Sequence, residues 1–557
     1  MLVPQRLRMN GKIDPFNGNL REYSDSISRR AYGTALPMNL SEGEAAGSTL
    51  SGPSRGERLV VSLPVRRQRA LLMLALICAA TVVYSYRLGY QALGPSEAYS
   101  ALAAAQPTIE MVARNAIQYD PGKTFLYHVL LHWFCELSGS NETALRSFSL
   151  IFGLATLGLV FLYGNELFGF EIGFAAAALW AFNPVAMVDA RWARMYSLFV
   201  ALALAHLLAM AHLRRKSGIA MQSLAGALGT AMLCSHLGGV LLLFGDVLVV
   251  LREFRRSGRS VSWPALMISI VLFLPFARLN ASQTEGFLVG HWLDWIGTNH
   301  DTAISKLLIA VIASLVVLWL AVADRWAEDR RESLQRCLIY AVVPPLALVA
   351  GSILIRPLFN IRYVAPSLAV AMLVAAVGFD LLGARVRNEA TFALSVLLLM
   401  LVPLTYRALY QPWRQIAATV AAAGDQRQTI FFESGFFTHE RVSIQDQSNG
   451  FPNGFFRAPF DYYFKQSNNR GVLPGSDPVE ARRLMELAVS KDGGAWLLSG
   501  KTAPDARSEL PVGPRFETDY QGNFSRVLLF HVRLTMGQKG SAAPNLAPFG
   551  ITKAGGD

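Results

Sequence analysis

Apolar residues in this chain gather in runs long enough to cross a bilayer. A hydrocarbon core about 30 Å thick takes roughly 20 apolar residues as helix. Runs of that order lie near 70–90, 147–167, 172–188, 195–213, 218–235, 237–252, 263–280, 303–323, 337–355, 364–384 and 390–409. The pattern predicts an α-helical polytopic membrane protein with about eleven transmembrane helices in 69–410, interrupted by a long loop at 91–146. Residues 1–68 are rich in Ser, Gly and Arg and hold no apolar stretch of the kind a signal peptide needs, so they are expected to form a disordered basic arm. Beyond residue 410 the pattern changes. The strand-like I-F-F-E-S, A-W-L-L-S-G and V-L-L-F-H-V and the helix-like V-E-A-R-R-L-M-E-L-A-V predict a small α/β domain over 411–540. Residues 541–557, rich in Gly, Ala and Pro, read as a flexible tail.

Composition agrees with a lipid-solvated chain: 52% of residues are hydrophobic and 16% charged. The formal charge of +12 would suggest nucleic acid in a soluble protein. Here the basic residues sit in short connections: R-R-Q-R before the first run, H-L-R-R-K at 212–216, R-E-F-R-R-S-G-R at 252–259, D-R-W-A-E-D-R-R at 324–331 and G-A-R-V-R at 383–387. The positive-inside rule makes that side cytoplasmic, with the N-terminal arm, and discounts a nucleic-acid partner. An odd number of spans then places the C-terminal domain on the far side, with the loop at 91–146, the stretch 189–196, the S-H-L-G-G of 235–239, the loop at 281–302 and the segment 356–363. Cys78, Cys135, Cys234 and Cys337 show no disulfide or zinc spacing.

The chemistry-bearing segments fall on that far side. They are G-P-S-E-A-Y-S at 94–100, D-P-G-K-T-F-L-Y-H-V-L-L-H-W-F at 120–134, E-T-A-L-R-S-F-S-L-I-F-G at 142–153, A-R-M-Y at 193–196, and Arg362 with Tyr363. In this order and spacing they resemble the bacterial membrane glycosyltransferases of the GT-C superfamily. The nearest group holds the lipid A transferases of the aminoarabinose and rhizobial galacturonic acid type, which are distantly similar to protein O-mannosyltransferases. The resemblance spans roughly 70–410 and departs at three places. The family's D-E is Ser96 and Glu97 here, its P-P-L-Y is Thr124, Phe125, Leu126 and Tyr127, and its E-A-R is Trp192, Ala193 and Arg194.

The resemblance implies a transferase that moves a sugar from a polyprenyl-phosphate donor to a lipid or glycan acceptor at the periplasmic face of a bacterial inner membrane. Such chemistry needs cations at the donor phosphate, because negative charge builds on it as the glycosidic bond breaks; Lys123, Arg194 and Arg362 are the candidates. It also needs a carboxylate to take the acceptor's proton, for which Glu97 is the candidate, with Asp120 and Asp189 as the reserve carboxylates. Tyr127, Tyr196, His236 and Tyr363 are expected to line the substrate cavity. No cofactor and no metal are expected, since one acid stands where the family has two.

Blander readings stand beside these. Arg194 and Arg362 could be interfacial anchors, Lys123 a solvated loop residue, His236 a satisfied interface histidine, and Asp189 a partner of Arg191 or Arg194. Asp246 lies inside an apolar run, is expected to be paired or neutral within the bundle, and is left out of the catalytic set. A catalytically silent glycolipid-binding relative is the alternative suggested by Ser96 and Trp192. A lipid-linked sugar transporter would show repeats with broken helices in matching halves, a symmetry this sequence lacks.

Overall fold

The computed structural model describes residues 65–119, 124–289, 328–354, 360–407, 412–423, 425, 427–433, 457–466, 468–473, 478–499, 516–524 and 527–535. Asp120, Lys123, the arm before residue 65, the run at 303–323 and the tail at 541–557 lie outside them.

The first helix, α1 (Val65–Ser85), is followed by three shorter ones, α2 (Pro95–Ala104), α3 (Ile109–Tyr119) and α4 (Leu126–Ser138), which occupy the predicted loop. The bundle continues with α5 (Glu142–Phe168), α6 (Phe170–Ala181), α7 (Pro184–Arg191), α8 (Tyr196–Arg215), α9 (Ile219–Ser235), α10 (Gly239–Ser257) and α11 (Trp263–Val289). It closes with α12 (Glu328–Leu354), α13 (Ala365–Leu381) and α14 (Ala384–Arg407). Helix α5 packs on α6 and α8, α8 on α9, α9 on α11, and α13 on α6 and α12.

Among the described residues six helices are long and apolar enough to cross a membrane, or seven if α6 and α7 count as one span bent by 64°. The expectation of about eleven includes the run at 303–323, which lies outside the described residues. The run at 172–188 breaks where Asn183 accepts a hydrogen bond from Val185 N and Pro184, which has no N–H to give, opens α7. The runs at 218–235 and 263–280 form shorter apolar helices, Ile219–Ser235 and Trp263–Ala277. At the break, α7 is drawn tightly onto α5. A Cβ added to Gly153 would stand 2.3 Å from Ala190 Cβ, so only glycine lets the two backbones meet there.

Helix α2 lies within protein rather than along a membrane face: Glu97 to Ala101, Ala103 and Ala104 are all buried. Small side chains let protein pack around it on every side, and α16 (Arg457–Tyr463) of the C-terminal module covers part of it.

The three strands and the helix predicted beyond residue 410 form there, the strands in a sheet with two further ones. The strands of this C-terminal module, β1 (Thr429–Glu433), β2 (Arg470–Leu473), β3 (Gly494–Ser499), β4 (Phe516–Phe524) and β5 (Val527–Leu534), form one sheet in the order β2-β1-β3-β5-β4. The β1 pairings are parallel; those of β5 are antiparallel. Strand periodicity sends Phe432, Trp496 and Leu498 to a core with α15 (Trp413–Ala422) and α16. Phe431, Leu497 and Phe530 face the opposite way, against Met485 and Val489 of α17 (Pro478–Asp492). The module docks on the turn that leads into α2. Arg414 donates to Glu142 Oε1 at 2.7 Å and to the Gly89 carbonyl at 2.8 Å. The Tyr463 hydroxyl donates to Glu142 Oε1 at 2.9 Å and accepts from Leu93 N at 2.8 Å. Burial pushes the Tyr463 phenol well above its usual range, so it stays a neutral donor.

Candidate active site

Glu97 enters α2 as its third residue, where its carboxylate reaches back to accept from the Gly94 N–H at 3.0 Å, a capping-box arrangement. Both oxygens are then taken up. Arg146, one turn into α5, grips them side-on, Nε to Oε1 and Nη2 to Oε2, each at 2.8 Å. The Ala193 N–H adds a bond to Oε1 at 3.1 Å. The remaining Arg146 donors go to the carbonyls of Leu88, Gln91 and Ala92. Glu97 is only 2% exposed, so this is a buried, bidentate ion pair tying α2, α5, the turn after α1 and the segment before α8 to one point. A base must have a lone pair facing substrate, and here four donors already fill the carboxylate. The geometry fits a positioning role for Glu97 better than the base expected from its sequence.

Arg194 is buried too, at 3% exposure, which removes the snorkelling reading. Its Nη1 donates to the Ser96 carbonyl at 2.9 Å and to Ser100 Oγ at 3.3 Å, laying the guanidinium along the first turn of α2. Ser149 Oγ donates to the Arg194 carbonyl at 3.2 Å and accepts from the Tyr127 hydroxyl at 2.9 Å. Tyr127 is fully buried in that chain of bonds and sits inside the packing rather than on an accessible wall.

A second cluster adjoins this one. A 3-10 turn, Ile361–Val364, is capped by Asn360 Oδ1 accepting from Arg362 N, and it delivers Arg362 and Tyr363 to the mouth of α13. The Arg362 guanidinium lies on Trp192, 3.8 Å from the ring centroid, and 5.4 Å from the centroid of Tyr196. His236 packs among Tyr196, Phe199 and Tyr363 at centroid distances of 5.6, 5.1 and 4.9 Å. Its Nδ1 accepts from Gly238 N at 2.8 Å, which places the ring proton on Nε2. Asp189 faces Arg362 across 3.5 Å between Oδ1 and Nε, and among the described residues neither of its oxygens accepts a hydrogen bond. It pairs with neither Arg191 nor Arg194. Arg191 instead donates to the carbonyls of Tyr84 and Tyr86, fastening α7 to the end of α1.

The structure therefore brings Glu97, Arg194, Tyr196, His236, Arg362 and Tyr363 to one end of the bundle. Sequence reasoning passed over Arg146, Ser100 and Ser149. Arg146 carried a signal that could have found it, since a guanidinium one turn inside a 27-residue apolar helix must have a partner. Asp246 is paired as expected, with the Tyr340 hydroxyl at 2.7 Å and His206 Nε2 at 3.0 Å.

Residues 122–278 match the family described as dolichyl-phosphate-mannose-protein mannosyltransferase. No curated protein matches the chain in sequence. Among solved structures, ArnT from Cupriavidus metallidurans bound to undecaprenyl phosphate is similar over 84% of this chain and 98% of that one, at 13% identity and a TM-score of 0.54. The apo form of the same protein gives 14% identity over the same shares with a TM-score of 0.44. The oligosaccharyltransferase AglB from Archaeoglobus fulgidus, in complex with an inhibitory peptide and a dolichol-phosphate, gives 10% identity over 77% of this chain and 69% of that one, with a TM-score of 0.45. The family match and the first of these structural likenesses bear out the GT-C resemblance read from the order of motifs: the chain has an ArnT-like fold.

Proposed function

We propose that this chain is an inverting membrane glycosyltransferase that takes a sugar from a polyprenyl-phosphate donor and passes it to a lipid or glycan acceptor at the periplasmic face of a bacterial inner membrane. The N-terminus is placed in the cytoplasm and the C-terminal module in the periplasm, following the bias of arginine toward the opposite loops. One observation carries the reading. At one end of a bundle that shares its fold with a protein solved with undecaprenyl phosphate, Arg362 lies on the ring of Trp192, two residues before Arg194, beside the rings of Tyr196, His236 and Tyr363.

In this reading Arg362 and Arg194 meet the donor phosphate, with Lys123 assigned by sequence to the same charge. The acceptor oxygen attacks the anomeric carbon from the face opposite the phosphate. The bond from that carbon to the phosphate oxygen breaks, its electron pair stays on the oxygen, and polyprenyl phosphate departs. Guanidinium groups already in place stabilise the added negative charge without reorganisation. The acceptor's proton goes to a carboxylate; Asp120 is assigned that part, and Glu97 holds the turn on which Arg194 rests.

A second reading, a silent glycolipid-binding relative, draws on Ser96 and on the saturation of Glu97. The test separates the two. The full chain is placed in vesicles with a panel of undecaprenyl-phosphate monosaccharides and total envelope lipid as the acceptor mixture, and released undecaprenyl phosphate is measured by mass spectrometry. Release that depends on the chain supports transfer. Binding of undecaprenyl phosphate with no release from any donor supports the silent relative.

A further inference from the structure

Asp189 stands apart from the other acids among the described residues. It is 2% exposed, and among the described residues it is the only buried carboxylate neither of whose oxygens accepts a hydrogen bond. An ionised carboxylate offers about four acceptor sites. Folded proteins fill such sites when the group is withdrawn from water, with protein donors or with ligand. The local construction fixes this group firmly. Asp189 sits on α7, which is held to α5 at Gly153 and to α1 by Arg191, so it has little freedom to turn toward solvent.

Arg362 does not quench it. The guanidinium is set by the Trp192 ring beneath it, and its approach to Asp189 is a 3.5 Å ion contact without a hydrogen bond. The unfilled acceptors are thus next to the cation assigned to the donor phosphate. The groups found beside a sugar phosphate in that position are the hydroxyls of the same sugar.

We infer that Asp189 is a specificity-determining residue that reads the donor sugar, accepting hydrogen bonds from its hydroxyl or amino groups and rejecting sugars that carry a carboxylate there. This rests on the glycosyl-transfer reading above. Hydroxyls fill the empty acceptors and a protonated amine would add charge attraction. A uronic acid instead sets a second carboxylate against a buried one, with Arg362 already shared between Asp189 and the phosphate, so the two either repel or must take up a proton. Juxtaposed like charges and unmet polar groups are the two devices by which sites exclude near-isosteres. The donor class is therefore a neutral or amino sugar.

The test compares undecaprenyl-phosphate glucose, undecaprenyl-phosphate 4-amino-4-deoxyarabinose and undecaprenyl-phosphate galacturonic acid in the vesicle assay, with the full chain. Wild type should release undecaprenyl phosphate from one of the first two about a hundredfold or more faster than from the uronic acid donor. Asp189→Asn removes the charge and keeps half the acceptors, so it should narrow that ratio at least tenfold, chiefly by raising the rate with the uronic acid. Wild-type transfer from the uronic acid donor at a rate equal to or above the other two overturns the inference and leaves the transferase reading standing. Release from none of the donors overturns the transferase reading and the inference with it. The wild-type comparison needs no variant, so a poorly folding Asp189→Asn does not protect the proposal.

Discussion

Glu97 and Asp189 are both 2% exposed and lie at the same end of the bundle, yet among the described residues the first accepts four hydrogen bonds and the second none. Asp246, deep in the helices, resembles Glu97, with a hydroxyl and an imidazole on its two oxygens. Burial alone therefore says little about what a carboxylate does in this protein. What separates them is who supplies the donors. Glu97 is met by a helix N-terminus, a guanidinium and a neighbouring backbone amide, all of which exist only if α2, α5 and the segment before α8 are assembled. Asp189 is met by a cation that is itself held by a ring, and no donor among the described residues reaches its oxygens.

The sharpest way to break this contrast is to remove the donor that dominates one side of it. Arg146→Ala leaves Glu97 charged and buried with only two amides, which should cost about 3–5 kcal/mol. In a detergent thermal scan the variant should unfold at much lower temperature or fail to accumulate. The double variant with Glu97→Ala should lose less than the sum of the two single losses, because both remove the same pair. Additive losses would mean that Glu97 and Arg146 act separately, and the positioning role would fall.

On the Asp189 side the larger effect is kinetic. Arg362→Ala takes away a cation assigned to the charge that grows on the leaving phosphate, and the loss of one such preorganised donor lowers turnover by about 100- to 1000-fold. Stability should change far less than for Arg146→Ala, since Arg362 stacks on Trp192 and is partly exposed, with a side chain 24% accessible. Wild-type release of undecaprenyl phosphate by Arg362→Ala would move the phosphate site elsewhere.

Asp246 offers the control. Its partner His206 donates from Nδ1 to the Ala225 carbonyl at 2.9 Å, so the proton between Nε2 and Asp246 closes a pair without net charge. Asp246→Asn leaves that network imperfectly matched, at roughly 1–3 kcal/mol of stability, with turnover per folded molecule unchanged. A selective loss of turnover at wild-type stability would tie the inner network to the chemistry.

Much of this was legible in the sequence, and the failures have causes. Hydropathy found the bundle, and strand periodicity with short apolar stretches found the C-terminal sheet, because both depend on local pattern. Hydropathy counted the 172–188 run as one straight span because it is blind to the capping Asn183 and the Pro184 that bends it. The motif order led to Glu97, Arg194 and Arg362, and these lie in two adjoining clusters at one end of the bundle. It did not show which carboxylate is saturated, because that depends on Arg146 lying 49 residues from Glu97 and on an amide of Ala193, contacts that no periodicity encodes. Asp189 was assigned to the wrong partners for the same reason. Arg191 and Arg194 are near it in sequence, but Arg191 at the end of α7 reaches α1, and Arg194, in the segment before α8, reaches α2.

A smaller effect is expected where the C-terminal module grips the Glu97 side. Arg414 is 43% exposed in its pairing with Glu142, so the ion pair is screened by water and contributes about 0.2–1 kcal/mol. Arg414→Ala should lower the midpoint of thermal unfolding only slightly. The same bonds hold the turn at 89–93 that leads into α2, so protease access to that turn should rise more than global unfolding does. Unchanged cleavage would show that Tyr463, which bonds Leu93 and Glu142, holds the turn without help.

The smallest expected effect is that of a chelator, and it bears on both carboxylates. A hard divalent cation needs several oxygen ligands with free lone pairs. Glu97 has four donors on its two oxygens, one of them a guanidinium that a cation would have to displace from a buried pair. Asp189 accepts no hydrogen bond from the described residues but stands 3.5 Å from Arg362, whose positive charge disfavours a second cation beside it. Ser96 stands where the GT-C pattern carries a further acid, so the first turn of α2 offers no second carboxylate to share the metal. Release of undecaprenyl phosphate should therefore proceed at the same rate with and without excess chelator, and added magnesium or manganese should not raise it. Activity lost on chelation and restored by either metal would show that a metal is held through carboxylates other than these two, and Asp120, in the D-P-G-K stretch, would be the first to replace.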